Sequence, residues 1–414
     1  MSNAKETKVE DHDYSLQPVP QFARRRLLTM FMIMLGFTFF SASMWTGQTL
    51  GDSLDLSGFI GSLILGGIIL AIYTGSLAYV GAKTGLSLDL LAQHSFGAKG
   101  SYLPSVLTSF TQIGWFGVGV AMFAIPVAKL IAPENPWLPY LLVAIAGICM
   151  TGSAFFGIKA MTIVSYISVP LIIILGVYSM VTAAAEGGGL AYIFAQSAGQ
   201  ITLFTGIGYV IGSFISGGTA TPNFIRFAKN SSIAVWTTVI AFFLGNTLMF
   251  CFGAVGGAYT GKDDIFYVMI AQGLAIPALI VLGANIWTTN NNALYTGGLA
   301  ISNISKVRMK WTTWISGIIG TALAIWLYYN FVSWLSILNC ALPPIGIIVI
   351  LDYFFNHKKF GSDFNEYTIN WFNIAGIIVG AACANLLQWG IAAINAMVVA
   401  AAFFFIGEIL GKNK

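Results

Sequence analysis

Long apolar runs fill most of this sequence, and short clusters of charged, glycine or proline residues separate them. A helix needs about 20 apolar residues to cross the hydrocarbon core of a bilayer, where its backbone hydrogen bonds are satisfied internally. The pattern therefore predicts an all-α integral membrane protein with about 12 transmembrane helices. The predicted spans lie near residues 27–50, 57–81, 103–131, 137–156, 159–184, 200–226, 233–258, 274–301, 311–330, 331–353, 371–389 and 391–410.

The amino-acid composition supports a membrane protein. Of the 414 residues, 57% are hydrophobic and 8% are charged, whereas soluble proteins carry about 25% charged residues. The net charge of +4 comes from basic residues in loops, so it does not indicate nucleic-acid binding. The cysteines lie in apolar runs, which predicts free packing thiols rather than disulfides or metal ligands; they are Cys149, Cys251, Cys340 and Cys383.

Basic residues predict the orientation in the membrane. Arg24, Arg25 and Arg26 precede the first apolar run, and in a twelve-span topology the loops on that side carry most of the other lysines and arginines. This bias predicts that both termini are cytoplasmic. The polar segment 1–21 lacks the apolar core of a cleavable signal peptide, and it predicts a disordered tail.

Two spans contain residues that interrupt a membrane helix. Gly36 and the sequence FTFFSASMWTG at Phe37–Gly47 lie in span one, and GSFISGGTATP at Gly212–Pro222 lies in span six. The two spans are five apart, as expected for inverted repeats of spans one to five and six to ten, and paired breaks of this kind mark a transporter's central site. The predicted organisation is a cytoplasmic tail at 1–26, a ten-helix inverted-repeat transport core at 27–353, and two accessory helices with a short tail at 354–414.

Span eight contains a dense group of polar side chains inside an apolar run. Asn285, Thr288 and Thr289 are spaced to share one helical face, and Asn290–Asn292 follow directly. Buried amides and hydroxyls need partners, and a bound ion or solute supplies them. The alternative is that these side chains join neighbouring helices by hydrogen bonds.

Spans three and ten carry further candidate features. Gln112 and Trp115 share one face near the middle of span three, and a ring beside an amide suits a flat, hydrogen-bonding ligand. The alternative is that the tryptophan packs on a glycine of another helix. Pro343-Pro344 in span ten predict a kink, either a hinge or a static bend. A short helix outside the membrane is predicted over Asp264–Gln272.

The sequence lacks groups that other functions require. No carboxylate or histidine falls near the middle of a predicted span, and oxygen ligands from hydroxyls and broken helices favour sodium over a proton as coupling ion. There is no Walker A pattern, nucleophile–base pair or metal cluster, which argues against direct ATP coupling and against an enzyme. The paired breaks disfavour a channel, and the short loops disfavour a receptor with an added soluble domain.

Six stretches of the sequence are distinctive: PVPQFARR (Pro18–Arg25), LGFTFFSASMWTG (Leu35–Gly47), TQIGWFGVGVAMFAIPV (Thr111–Val127), IGSFISGGT (Ile211–Thr219), FFLGNTLMF (Phe242–Phe250) and NIWTTNNNALY (Asn285–Tyr295). These stretches resemble the bacterial cytosine permeases of the nucleobase:cation symporter family. The resemblance runs in order from Pro18 to about Lys359 and is weaker in the last two spans and the tails. It implies the leucine-transporter fold, with two inverted five-helix repeats plus two helices, and sodium-coupled import of cytosine across the bacterial inner membrane by alternating access.

The resemblance also implies the binding residues. Sodium is expected between the break in span one and span eight, and the base among spans one, three, six and eight. The implied sodium ligands are the backbone carbonyls of Gly36, Phe39 and Asn285 and the hydroxyls of Thr288 and Thr289. The implied base contacts are Trp115 and Phe214 on the two faces, Gln112 and Asn290 on the edge, and Ser213, Ser216 and Phe40 as further candidates.

Cytosine fits such a set, because aromatic rings match its flat faces and amides match an edge with donors and acceptors. The alternatives are another nucleobase or a hydantoin-like substrate, and proton-coupled or uncoupled transport. Asn223 and Asn291 stand where relatives can carry aspartate. If the aspartates of those relatives take part in coupling, the coupling expected for this chain is in doubt. If they only face water, the expectation is unchanged. The expected partners are cytosine, sodium and the lipid bilayer, with no nucleic acid, no obligate protein partner and no cofactor beyond the coupling ion.

Overall fold

The computed structural model of the protein describes residues 13–197, 199–262, 264–330, 340–361, 369–387 and 389–411. These ranges are almost entirely helical, and their one strand-like pairing is a single bridge between Arg25 and Ala228. The α-helices are α1 (Leu27–Thr38), α2 (Ser41–Ser53), α3 (Leu56–Thr84), α4 (Leu88–Phe96), α5 (Tyr102–Ile131), α6 (Leu138–Ala154), α7 (Gly157–Glu186), α8 (Leu190–Ala195), α9 (Leu203–Thr219), α10 (Thr221–Ile225), α11 (Ser231–Ile240), α12 (Asn246–Thr260), α13 (Ile265–Ala271), α14 (Ala275–Ser305), α15 (Met309–Tyr329), α16 (Pro343–Asn356), α17 (Trp371–Leu386) and α18 (Ala392–Gly411).

The helices correspond to the predicted spans, with boundaries that differ by several residues. Among the described residues, five helical stretches are long and apolar enough to cross a membrane, and α1 with α2 makes a sixth if the bent pair is one span. α14 is 31 residues long and contains the polar run of span eight. The count of twelve spans stays a prediction, and residues 331–339 of span ten lie outside the described part.

Both predicted breaks are present. α1 and α2 meet at 58°, and the two residues between them, Phe39 and Phe40, have extended backbone conformations. In span six, α9 ends at Thr219 and α10 begins at Thr221, so a single residue, Ala220, interrupts the helix. The predicted short helix before span eight is also present as α13, with Asp264 capping its first turn.

The proline pair of span ten lies at the start of α16 rather than within a continuous helix. Pro343 and Pro344 occupy the first helical positions, where the missing N–H removes no hydrogen bond. The chain bends at Leu342, immediately before them. The predicted kink is therefore present, and its role as a hinge stays a prediction.

The segment Asp13–Arg26 packs across one end of the helix bundle, which we call the N-terminal end. The prediction of a disordered tail over residues 1–21 is therefore wrong for residues 13–21, since Asp13 and Val19 are 2% exposed. Residues 1–12 lie outside the described part. Arg226, which is fully buried, donates hydrogen bonds to the Asp13 carbonyl at 2.7 Å and the Tyr14 carbonyl at 3.0 Å. These bonds join the segment to the end of span six, which is more than 200 residues away in sequence. Composition does not reveal such a contact.

Helix α4 fills the loop between spans two and three at the same end of the bundle. Asp89 and His94, which the sequence places in this loop, are buried in the helix. Ser87 caps its first turn, and the backbone N–H of Leu88 donates to Oδ1 of Asn223 in α10 at 2.7 Å. The loop is therefore part of the folded core at this end.

Candidate substrate and cation site

The central cavity lies where the break in span one meets α5, α9 and α14. Six of the seven residues predicted to contact the base line it, and Asn290 does not. Its volume is about 20 Å³, which is room for roughly one water molecule. The lining residues are Phe37, Phe40, Gln112, Trp115, Ser213, Phe214, Ser216, Gly217, Thr289 and Ala293.

Aromatic rings form most of the cavity wall. Trp115 of α5 packs edge-to-face on Phe40, with ring centroids 5.2 Å apart and planes at 78°. Phe214 of α9 packs edge-to-face on Phe37 at 5.2 Å and on Phe242 at 5.4 Å. Aromatic rings favour offset stacking with another flat ring. The cavity therefore suits a flat ligand.

Two polar groups on the cavity wall have no hydrogen-bond partner in the described part of the protein. They are Nε2 of Gln112 and Oγ of Ser216, whose side chains are 2% and 1% exposed. Ser213 differs, since its hydroxyl donates to the Val210 carbonyl of the same helix at 2.8 Å. A buried polar group without a partner costs about 1–3 kcal/mol, so the first two side chains favour a hydrogen-bonding ligand.

Asn290 points away from the cavity. Its Nδ2 donates to the Phe116 carbonyl at 3.3 Å and lies 3.1 Å from Sδ of Met150. Gly119 makes room for it, because a Cβ at that position would overlap the amide. Contact with the edge of a base requires this side chain to turn, and its role stays a prediction.

Four of the five predicted sodium ligands form one cluster of oxygen atoms. Oγ1 of Thr289 lies within hydrogen-bond distance of two backbone carbonyl oxygens, that of Phe39 at 3.0 Å and that of Asn285 at 3.2 Å. Oγ1 of Thr288 is placed to donate to the Asn285 carbonyl at 2.8 Å. Gly36 lies at the same corner, since a Cβ there would stand 3.4 Å from Cγ2 of Thr288. Neutral carbonyl and hydroxyl oxygens are ligands that suit a sodium ion. The described residues contain no cluster of histidine, cysteine or carboxylate ligands for a transition metal.

Asn223 and Asn291, which stand where relatives can carry aspartate, lie outside the cavity wall. Oδ1 of Asn223 holds the start of α4, as described above. Oδ1 of Asn291 accepts from Ser153 of α6 at 2.7 Å, and Ser153 in turn accepts from Nε1 of Trp287 at 2.8 Å. Both asparagines thus join helices, and for Asn291 this is the alternative role considered for the polar run of span eight.

Sequence reasoning missed three cavity residues, Phe37, Gly217 and Ala293. Each has a positional signal: Phe37 belongs to the break, Gly217 follows Phe214 by three residues, and Ala293 follows Thr289 by four. Helical spacing from a predicted contact could have found the last two.

Comparison with known proteins identifies the family. The family described as permease for cytosine/purines, uracil, thiamine and allantoin matches residues 18–410. The chain belongs to this permease family. The permease is 48% identical over 408 residues to a cytosine permease of Escherichia coli (strain K12), covering 98% of this chain and 96% of that protein. It is also 22% identical over 343 residues to a purine-uracil permease, NCS1, of Arabidopsis thaliana, covering 72% of this chain and 56% of that protein.

Solved structures share the permease's fold. Mhp1, a nucleobase-cation-symport-1 family transporter, in a closed conformation with bromovinylhydantoin bound, gives a TM-score of 0.79 at 18% identity, covering 95% of this chain and 94% of Mhp1. A Na⁺-coupled sialic acid symporter in a substrate-bound outward-open state gives a TM-score of 0.70 at 14% identity, covering 97% of this chain and 93% of the symporter. The predicted fold class is confirmed, and the permease is a multi-pass membrane transporter rather than an enzyme.

Proposed function

We propose that this permease is a sodium-coupled symporter that imports cytosine by alternating access. The observation that carries the proposal is the pair of unpartnered groups, Gln112 Nε2 and Ser216 Oγ, in a buried cavity whose other walls are largely aromatic. The 48% identity to a cytosine permease favours cytosine among the possible ligands.

A neutral pyrimidine base matches this cavity chemically. Its faces stack between rings such as Trp115 and Phe214, and its edge accepts from the amide of Gln112 and pairs with the hydroxyl of Ser216. Because a mismatched base leaves one of these buried groups unpaired, discrimination of about 1–3 kcal/mol is expected, or roughly tenfold to a hundredfold in affinity.

Sodium and base are linked through the break in span one. The Phe39 carbonyl belongs to the oxygen cluster, and the next residue, Phe40, packs on Trp115 in the cavity wall. A cation bound by the Phe39 carbonyl and the Thr288 and Thr289 hydroxyls fixes the conformation of the break. It therefore fixes the position of Phe40, so that cation binding favours base binding.

The size of the cavity supports alternating access. A volume of about 20 Å³ does not admit a pyrimidine ring, so the aromatic wall must move before the base can enter. Such a closed site agrees with a transporter whose two sides open in turn. In the proposed orientation both termini face the cytoplasm of a bacterial cell and the N-terminal end of the bundle is the release side.

Uptake of radiolabelled cytosine into proteoliposomes tests the proposal. An inward sodium gradient should drive accumulation above the external concentration, and replacement of sodium by potassium should abolish it. Uptake that is indifferent to sodium contradicts the coupling but keeps the substrate. Absence of cytosine uptake, with displacement by a different base or a hydantoin in a binding assay, contradicts the substrate.

A further inference from the structure

Span seven contains a π-helical turn, Ala241–Gly245, between α11 and α12. π turns are rare, disturb the ordinary ladder of backbone hydrogen bonds, and occur often at functional sites. This turn packs beside the break in span one, yet it contributes no residue to the cavity wall and none to the oxygen cluster. It therefore needs a separate explanation.

Thr38 joins the π turn to the break. It is the last residue of α1 and is completely buried. Its hydroxyl is placed to donate to the Leu35 carbonyl of its own helix at 3.0 Å and to the Ala241 carbonyl, at the start of the π turn, at 3.1 Å. The next residue, Phe39, supplies the carbonyl that accepts from Thr289 in the oxygen cluster. Thr38 thus anchors the backbone one residue before a proposed cation ligand.

The end of the π turn fits closely against the same region. A Cβ on Gly245 would overlap the hydroxyl of Thr38 and stand 3.3 Å from the ring of Phe39, so only glycine leaves room there. Asn246, the first residue of α12, accepts a hydrogen bond from Ser43 of α2 at 3.0 Å. Span seven therefore holds both sides of the break, α1 through Thr38 and α2 through Ser43.

We propose that Thr38 is a positioning residue, which holds the Phe39 carbonyl toward the cation site through its bond to the π turn. The inference rests on the sodium coupling proposed above. Loss of this bond leaves the cavity residues in place but loosens one cation ligand. The apparent affinity for sodium should then fall, while the affinity for base at saturating sodium should change little.

The test compares three variants in the proteoliposome uptake assay. Thr38→Val keeps the shape of the side chain and removes the donor, and Thr38→Ser keeps the donor. Thr237→Val is the matched control, because Thr237 of α11 is in the same span, is 1% exposed, and has a hydroxyl without a partner in the described part of the protein. The readouts are the sodium concentration for half-maximal uptake and the KM for cytosine at saturating sodium.

Thr38→Val should raise the sodium concentration for half-maximal uptake about fivefold, the effect of one lost hydrogen bond, with an unchanged KM at saturating sodium. Thr38→Ser and Thr237→Val should match the wild type. A sodium-dependent wild type with an unaltered Thr38→Val variant overturns the inference alone, and so does an equal loss in Thr237→Val. A wild type that transports cytosine without sodium overturns the proposed coupling and the inference with it.

Discussion

Spans one and six are both interrupted, but only the interruption of span one leaves backbone groups without helical hydrogen bonds. Its two extended residues leave groups that other helices must satisfy. The Phe39 carbonyl accepts from Thr289, and the Ser41 N–H donates to Oδ1 of Asn285 at 3.0 Å, both on α14. Side chains of span eight therefore replace the missing helical hydrogen bonds.

Span six keeps its backbone paired through the interruption. The N–H of Ala220 donates to the Gly217 carbonyl at 2.9 Å, and the Ala220 carbonyl accepts from the N–H of Asn223 at 2.9 Å. What this span offers to the cavity is side chains, those of Phe214 and Ser216. Its short distal helix, α10, ends at the buried Arg226.

The difference suits each break to a separate part of the proposed function. A broken helix whose carbonyls lack helical partners can bind a cation without a charged side chain, so the proposed cation site needs no carboxylate. A helix with a paired backbone presents side chains at fixed positions, which suits recognition of a base. The two breaks are related by their place in the repeat, and they are unlike in chemistry.

The largest expected effect concerns Arg226, at the end of span six. Arg226→Met should remove most of the folded protein, because the Asp13 and Tyr14 carbonyls and the Tyr295 hydroxyl would lose a buried charged donor. Each unsatisfied group costs about 1–3 kcal/mol, so the total exceeds about 3 kcal/mol. The measurement is the yield of monodisperse protein in detergent and its melting temperature.

Arg308→Met is the control for this loss, since Arg308 is an exposed arginine at the start of α15. It should retain the yield and melting temperature of the wild type. A normal melting temperature for Arg226→Met would show that span six does not need the hydrogen bonds of Arg226 for its stability. The two breaks would then differ only in what they contribute to the cavity.

A smaller effect separates two serines of span six. Ser216→Ala should weaken cytosine binding about fivefold to tenfold, because its hydroxyl has no partner among the described residues and is proposed to bind the base. Ser213→Ala is the matched change on the same cavity wall, and it should have little effect because that hydroxyl is already bonded to Val210. Equilibrium binding of radiolabelled cytosine at saturating sodium measures both.

The outcome also tests the division of tasks between the breaks. Ser216→Ala should leave the sodium dependence of uptake unaltered, since no residue of span six belongs to the oxygen cluster. Equal effects of the two serine variants would contradict the role given to the unpartnered hydroxyl. A change in sodium dependence would show that span six contributes to the cation site as well.

The sequence allowed prediction of the breaks and of most cavity residues for identifiable reasons. Glycine and proline act locally on the backbone, so the interruptions at Phe39-Phe40, near Gly36, and at Ala220, between Gly217-Gly218 and Pro222, could be found without a structure. Helical spacing placed Gln112 and Trp115 on one face, and both line the cavity. Local rules of this kind need no knowledge of neighbouring helices.

Other features depend on contacts between distant residues. The direction of the Asn290 amide depends on the space beside Gly119, and the order of residues 13–21 depends on a buried arginine more than 200 positions away. The π turn in span seven has no composition that distinguishes it from an ordinary helix. These features could not be predicted, because each depends on contacts between distant residues that a single sequence does not reveal.

The last prediction concerns Asp89 of α4, which lies near Arg226 and outside the predicted spans. Burial raises the pKa of Asp89 from its usual 3.8 to about 6, although the bond from Ser105 Oγ and the charges of Arg226 and Lys306 oppose the shift. The folded state therefore binds this proton more tightly than the unfolded state does. The resulting stability is fully present below pH 3.8 and is lost as the pH rises through about 6.

Asp89→Asn should abolish this pH dependence, because the amide is neutral throughout and can still accept from Ser105. The variant should melt a few degrees above the wild type near pH 7.5 and at about the same temperature near pH 4.5, which corresponds to about 1–3 kcal/mol. Glu134→Gln, at an exposed loop position, should keep the wild-type profile. Parallel pH profiles of the melting temperature for Asp89→Asn and the wild type would mean that Asp89 has the same pKa in the folded and unfolded states. The fold would then tolerate the charged Asp89 carboxylate beside α10. Arg226 would stabilise the fold by its charge interaction with Asp89 as well as by its hydrogen bonds to the N-terminal segment.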